Sequence, residues 1–152
     1  MSVHYGPYRE VIDRVKHFQD TASQIVIEEA LMEEDELIRI NTDDQLFEGI
    51  NADGVAIADY QPYTPYTKTL KEAKGQPTGR VTLFDTGDFY KGFKFDKVGT
   101  KIYPDSTDSK TERLVKKYGE QIFGLTDENL QYFINIFLKP RMIERFKKMI
   151  LP

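Results

Sequence analysis

Apolar residues recur every three or four positions along the first 50 residues. In "YREVIDRVKHF" this spacing predicts an amphipathic helix over residues 8–18. A second helical stripe runs from Asp20, which with Thr21 is a candidate N-cap, to about residue 50. The Thr-x-x-Gln spacing of a capping box predicts a kink or a new helix start near Thr42. The chain is therefore expected to begin with long helices that bury one face.

The middle of the chain changes to turn-forming residues and short extended segments. "NADG", residues 51–54, predicts a turn, and Thr64 followed by Pro65 predicts a helix that ends before Gly75. "RVTLF" is typical of a brief extended segment. In "FKFDKVGTKI" aromatic residues alternate with charged residues on either side of a turn, which predicts a β-hairpin with one buried face.

Helical spacing returns in the last third of the chain. A helix over about residues 109–118 should stop at Gly119, and the final helix should begin at the N-cap Thr126. Pro140 should kink that helix. The order of long N-terminal helices, a small antiparallel hairpin and a kinked C-terminal helix predicts an α+β fold. A length of 152 residues suits one domain over residues 1–152.

Composition excludes several classes of chemistry. The chain has no cysteine, so disulfides, thiolate nucleophiles and Cys-based zinc sites are excluded. Its histidines, His4 and His17, are too few for a His-rich metal site, and no phosphate-binding glycine loop is present. A net charge of -4 argues against nucleic-acid binding through overall charge, and no apolar run has the length of a membrane span. We expect no metal, no cofactor, no membrane partner and no sequence-specific nucleic acid.

Charge is unevenly distributed along the chain. Between Glu28 and Asp59 there are 11 acidic residues and one basic residue, whereas five basic residues and one acidic residue follow Leu138. These runs are either two solvated helix faces or complementary faces that join copies head to tail. The second interpretation makes the following residues a candidate subunit interface: Glu33, Glu34, Glu36, Arg141, Arg145, Lys147 and Lys148.

The stretch "VTLFDTGDFYKGF" contains Asp-Thr-Gly, the signature of retroviral-type aspartic proteases. Such an enzyme would need Asp85 from two chains to share a proton in a homodimer. About eighty mainly helical residues precede the motif, which leaves no room there for the strands of that fold. We therefore interpret Asp85, Thr86 and Gly87 as a structural turn, in which Asp85 caps a short helix over residues 88–91. No catalytic residue is expected.

The order of motifs from Gln45 onwards resembles the virion-morphogenesis proteins of bacteriophages, a Mu-like group of tail-completion and neck (head–tail joining) proteins. The resemblance is carried by an Asp-Gly turn, the "YQP" segment with its Thr-x-x-x-Lys helix, the apolar-Asp-Thr-Gly segment and "EQIFGLTDENLQYF". The resemblance covers about 90 of the 152 residues, and the chain is especially similar to the members of this family from phages of gut-anaerobe hosts. Tyr60 stands where the family commonly has Trp, and "DSKTERLVKKYG" replaces the family's usual segment after the hairpin.

The resemblance implies a structural protein without enzymatic activity. It implies a ring of six or twelve copies at the head–tail junction or tail end, in contact with portal-side or adaptor proteins and with tail proteins. The chain would then be found in the virion neck or tail, and in the host cytoplasm before assembly. Two alternatives stay open: a protein-binding module that uses the Tyr/Pro-rich loop over residues 60–68, and the homodimeric aspartic protease.

Overall fold

Helices flank a small antiparallel sheet. The computed structural model describes residues 8–151. Its helices are α1 (Tyr8–Leu31), α2 (Glu34–Arg39), α3 (Ile57–Tyr60), α4 (Pro65–Ala73), α5 (Asp88–Lys91), α6 (Thr111–Tyr118), α7 (Asp127–Phe133) and α8 (Lys139–Ile150), and its strands are β1 (Phe93–Val98) and β2 (Lys101–Ser106). Two π-helical segments, Ile40–Leu46 and Ile134–Leu138, continue α2 and precede α8. The α+β class, the long N-terminal helix, the central hairpin and the bent C-terminal helix are confirmed.

The first helix runs without a break through the position where the sequence predicts a new start. Thr21 does not cap a helix; its Oγ1 donates to the carbonyl of His17 at 2.8 Å, one turn back, and so remains inside α1. Asp20 is exposed within the same helix. The predicted N-cap at these two residues is therefore wrong, because the hydroxyl is satisfied within a continuing helix.

The segment around Thr42 widens into a π-helix. The amide of Phe47 donates to the carbonyl of Thr42 at 2.8 Å, a bond across five residues instead of four. Thr42 Oγ1 donates back to the carbonyl of Ile38, and the Gln45 side chain turns to a distant loop. The irregularity is where the sequence predicts it, but the capping box is wrong because neither side chain binds the helix start.

Two clusters of buried side chains form the core. The larger one joins the hairpin to the loops before it and to α6: Leu46, Ile57, Val81, Leu83, Phe89, Phe93, Tyr118 and Ile122. The smaller one lies under α1, α2 and α7: Ala30, Leu37, Ile40, Phe95 and Phe133. The π-helix supplies Ile40 to one cluster and Leu46 to the other, so it connects the two.

The hairpin forms with the register that its alternating pattern predicts. Phe93 pairs with Ser106 and Val98 with Lys101, and the side chains of Phe93 and Phe95 are buried. The turn lies at residues 99–100. The preceding "RVTLF" does not pair as a strand, because Leu83 has a φ of 56° and interrupts the extended backbone.

Local start and stop signals work in the other helices. Thr64 Oγ1 accepts a hydrogen bond from the amide of Thr67, with Pro65 in the first turn, and Thr126 Oγ1 accepts one from Asn129. Gly119, with a φ of 90°, ends α6. These predictions are confirmed because each depends only on neighbouring residues.

Helices α1 and α8 pack against each other in antiparallel orientation. Phe18 meets Phe146 edge to face with 5.0 Å between ring centroids, and Arg14 donates to the carbonyl of Ile150. No residue between positions 8 and 24 is buried, and α8 is the main packing partner of α1. We refer to residues 8–24 together with α8 as the arm.

Replacing Gly92 by alanine should lower the free energy of unfolding by about 1–2 kcal/mol, the range of a steric clash in a packed site. A Cβ at this position would lie 2.6 Å from Ser106 Oγ and 2.9 Å from the amide nitrogen of Asp108, which is backbone and cannot swing away. Urea unfolding measures the loss. Gly79→Ala is the control, because a Cβ there meets no atom within 4 Å. Equal stability of the two variants would contradict the close packing.

Candidate functional site

The Asp-Thr-Gly stretch is a bend held by side chains from the segment after α4. The Asp85 carboxylate pairs with the Lys74 ammonium, and Gln76 Nε2 donates to the Asp85 carbonyl at 2.7 Å. Thr86 Oγ1 accepts from the amide of Asp88, and Gly87, with a φ of 89°, is the N-cap residue of α5. The short helix is therefore confirmed, but Asp85 does not cap it. Lys74 competes for its carboxylate, and that contact could not be read from local spacing.

The contact with Lys74 makes the stabilising effect of Asp85 depend on pH. The hydrogen bond from Lys74 lowers the pKa of Asp85 below its ordinary value of 3.8. The stabilisation from this pair is present above pH 3.8 and is lost as the pH falls through the lower, folded-state value. Asp85→Asn should therefore differ from the wild type above about pH 4 and converge with it in more acidic solution. Urea unfolding across this pH range measures the difference, which should be below about 1 kcal/mol because the pair is half exposed.

The basic residues of α8 find carboxylates inside the same chain. Arg141 donates to Glu29 at 2.9 Å and to Glu33 at 3.1 Å. Arg145 donates to Glu29 at 2.9 Å and to Glu28 at 3.3 Å. Glu29 is 8% exposed and receives both guanidinium groups. The charges of Glu33, Arg141 and Arg145 are thus paired where α8 packs against α1 and the turn that follows it. Charge is therefore no reason to place these three residues between copies.

The other residues of the predicted interface have three different environments. Glu34 Oε1 accepts from the amide of Phe95 at 2.9 Å and ties α2 to the hairpin. Glu36 pairs with Arg39 on its own helix. Within residues 8–151, neither Lys147 nor Lys148 has a carboxylate oxygen within 4.0 Å. These two lysines keep an unmatched charge on the surface.

Two polar side chains of the π-helix form a buried clamp that sequence reasoning missed. Gln45 Nε2 donates to the carbonyl of Gly124 at 2.7 Å, and its Oε1 accepts from the amide of Thr126 at 2.9 Å and from Asn129 Nδ2. Asn41 Oδ1 accepts from the amide of Gly124 at 2.9 Å. The available signal was two amides, four residues apart, at positions of the apolar stripe. The clamp fixes the loop between α6 and α7.

The Tyr/Pro-rich loop is fastened to the body of the protein by two of its tyrosines. Tyr60 Oη donates to the carbonyl of Tyr118 at 2.8 Å, and Tyr63 Oη accepts from the amide of Thr82 at 3.0 Å. Tyr66 remains 73% exposed. Tyr60 is 43% exposed although its hydroxyl is bonded, so the loop presents two exposed rings, of which only Tyr66 lacks a hydrogen bond to the body within residues 8–151.

An open apolar groove of about 400 Å³ lies on the arm. It is lined by Phe18 from α1 and by Met142, Ile143 and Phe146 from α8, together with Lys139 and Lys147. Ile143 and Phe146 are exposed, at 46% and 39%. We call this surface the arm groove. A contiguous exposed patch that contains aromatic and Met side chains is typical of protein interfaces.

Comparison with protein-family models, curated proteins and solved structures gives no match for this chain. No helix among residues 8–151 is both long and apolar enough to cross a bilayer. In the same part of the chain, no three His, Asp or Glu side chains are grouped so that they could hold a metal ion.

Proposed function

We propose that this protein is a structural subunit of a bacteriophage virion, which assembles as a ring at the head–tail junction or the tail end. The resemblance of its motif order to phage tail-completion and neck proteins supplies the virion context. The arm groove is the observation that supports assembly, because its apolar side chains are contiguous and exposed to water.

A second copy of the chain is the partner that the charges favour for the arm groove. Lys139 and Lys147 lie at the groove without a carboxylate within 4.0 Å in residues 8–151. The exposed residues Asp43, Glu48, Asp53 and Asp59 have no cation within that distance among the same residues. They belong to the π-helix and the segment after it, outside the arm. Contact between these two different surfaces is head to tail, and such contacts form a ring when the rotation between copies closes.

The surroundings of Asp85 support a role without catalysis. Its carboxylate is half exposed and paired with Lys74, and this pairing lowers its pKa. An aspartic protease needs two carboxylates that share a proton, which an ammonium group at one of them opposes. Asp85 is better explained as an anchor between the bend and the end of α4.

Replacing Ile143 by aspartate should prevent assembly and leave the fold intact. The substitution places a charge at the centre of the arm groove, where association would bury it. In cells infected with a phage that lacks this gene, plasmid-borne Ile143→Asp should restore plaques at least 100-fold less well than the wild type. Leu70→Asp is the control, because Leu70 is also 46% exposed but lies on α4. Equal rescue by both variants, at equal melting temperatures, would exclude the groove as an assembly surface.

Deletion of the gene from its phage tests the function itself. We expect electron micrographs to show filled heads and tails that are separate, or tails with abnormal ends, and purified wild-type virions to contain the protein in six or twelve copies. Normal, infectious particles in the absence of the protein would overturn the proposal. This outcome is independent of which surface joins the copies.

A further inference from the structure

A cavity of about 190 Å³ lies between α4, the Asp85 bend and α6. Its walls are largely aromatic and aliphatic and include Tyr63, Phe89, Leu114 and Tyr118. An apolar cavity of about 150 Å³ is enough to hold benzene. The space therefore suits one ring or a short branched chain, and its lining offers apolar contact to such a group.

A buried ammonium group lines the cavity. Lys71 is only 8% exposed, and its Nζ donates to the carbonyl of Phe84 at 2.7 Å and to Gln76 Oε1 at 3.3 Å. The same Nζ lies 4.9 Å from the centroid of the Tyr63 ring. An ammonium group has three N–H donors, and within residues 8–151 Lys71 Nζ has no third hydrogen-bond acceptor within 3.5 Å and no carboxylate oxygen within 4.0 Å. A buried ammonium group whose direct contacts are all neutral lowers the stability of the fold, and a bound anion would offset that loss.

Two more cations line the same cavity. Lys110 and Arg113, at the start of α6, have no carboxylate within 4.0 Å in the described part of the chain. Two carboxylates also line the cavity, Asp85 and Asp88. Asp85 is already paired with Lys74, so Asp88 is the acid that remains to offset the three cations. After the hydrogen bond from Lys74, the charges of Lys110 and Lys71 also contribute to the lowered pKa of Asp85. Both lysines therefore make the electrostatic potential at the Asp85 side of the cavity more positive. The excess of positive charge favours an anionic ligand.

We propose that this cavity binds a carboxylate carried on an apolar body about the size of one ring. The ring would occupy the apolar walls, and the carboxylate would meet Lys71, with Lys110 and Arg113 at its other side. A free aromatic acid and a carboxylate of a peptide offer the same chemistry. This site is separate from the arm groove and does not depend on the proposed assembly.

Titration of the isotope-labelled chain with benzoate tests the proposal by NMR. Benzoate should bind saturably with a millimolar Kd and shift the amide signals of residues 83–89 and 110–118. Benzamide, which has the same shape without the charge, should bind at least tenfold more weakly. N-acetylphenylalanine and its amide repeat the comparison for a peptide carboxylate, and the tighter of the two acids identifies the source. Equal binding of acid and amide, or no saturable shift in these residues, would overturn the proposal.

Variants assign the binding to the three cations. Lys110→Gln with Arg113→Gln should weaken benzoate at least fivefold, whereas Lys116→Gln, an exposed change on the same helix that does not line the cavity, should leave it unchanged. Lys71→Met should abolish the preference for acid over amide. If Lys71→Met does not fold, the double variant Lys110→Gln with Arg113→Gln is sufficient to test the site. Unchanged affinity in that double variant would refute the site.

Discussion

Replacing Gln45 by leucine is expected to lower the free energy of unfolding by at least about 2 kcal/mol. Its amide side chain is 1% exposed, donates a hydrogen bond to the carbonyl of Gly124 and accepts one from the amide of Thr126. Leucine fills a similar volume but leaves both half-buried backbone groups without a protein partner, at about 1–3 kcal/mol each. Urea unfolding, followed by circular dichroism, measures the change.

Gln131→Leu is the matched control for the clamp. Gln131 is exposed on α7, and its side chain has no hydrogen-bond partner within residues 8–151, so its replacement should change stability by less than about 0.5 kcal/mol. A loss below about 1 kcal/mol for Gln45→Leu would mean that the π-helix does not hold the loop before α7.

Removing both arginines of the arm, Arg141→Ala with Arg145→Ala, should reduce stability by about 2–3 kcal/mol. The change leaves the nearly buried Glu29 without a cationic partner. Removing only one side of a buried ion pair is strongly destabilising, because the remaining charge is then uncompensated. The arginines are about one-third exposed, so solvent reduces the loss from the value for a fully buried pair. Thermal unfolding at low and high salt measures it.

Lys147→Ala with Lys148→Ala is the control for the arginines. It removes the same charge from the same helix, but these lysines have no carboxylate within 4.0 Å in residues 8–151, so stability should stay nearly unchanged. Equal losses in both double variants would show that net charge, not specific pairing, stabilises the arm. An assembly test that reverses Arg145 would also break its ion pairs with Glu28 and Glu29 and so change the stability of the arm, so Lys139 and Lys147 are the residues to reverse.

The sequence predicted the features that depend on neighbouring residues. Thr64, Thr126 and Gly119 mark helix ends because a side-chain oxygen or a positive φ acts within one turn, and the alternation of Phe93 and Phe95 fixes the buried face of the hairpin. Each signal is complete within about six residues. For this reason the fold class and the helix ends marked by these residues followed from the pattern alone, whereas the break between α1 and α2 and the short α3 did not.

The features that the sequence did not predict depend on distant contacts. Arg141 reaches Glu29 across 112 positions, and Asn41 reaches Gly124 across 83. Lys71 looks like an ordinary exposed residue of α4 until α6 and the Asp85 bend cover it. The charge runs were visible, but whether they meet within one chain or between copies is decided by how α8 packs against α1.

The π-helix over Ile40–Leu46 holds one residue more than an ordinary α-helical turn would need. A single deletion there would restore α-helical geometry and leave the residues on either side facing nearly the same directions, because the wide turn already absorbs the extra residue. Ile40 and Leu46 would then still reach their two clusters, provided that the deleted residue is not Asn41 or Gln45. Descendants of this gene that lack one codon here should therefore keep both halves of the core, whereas the loss of one codon within α2 would rotate the halves against each other by about 100°.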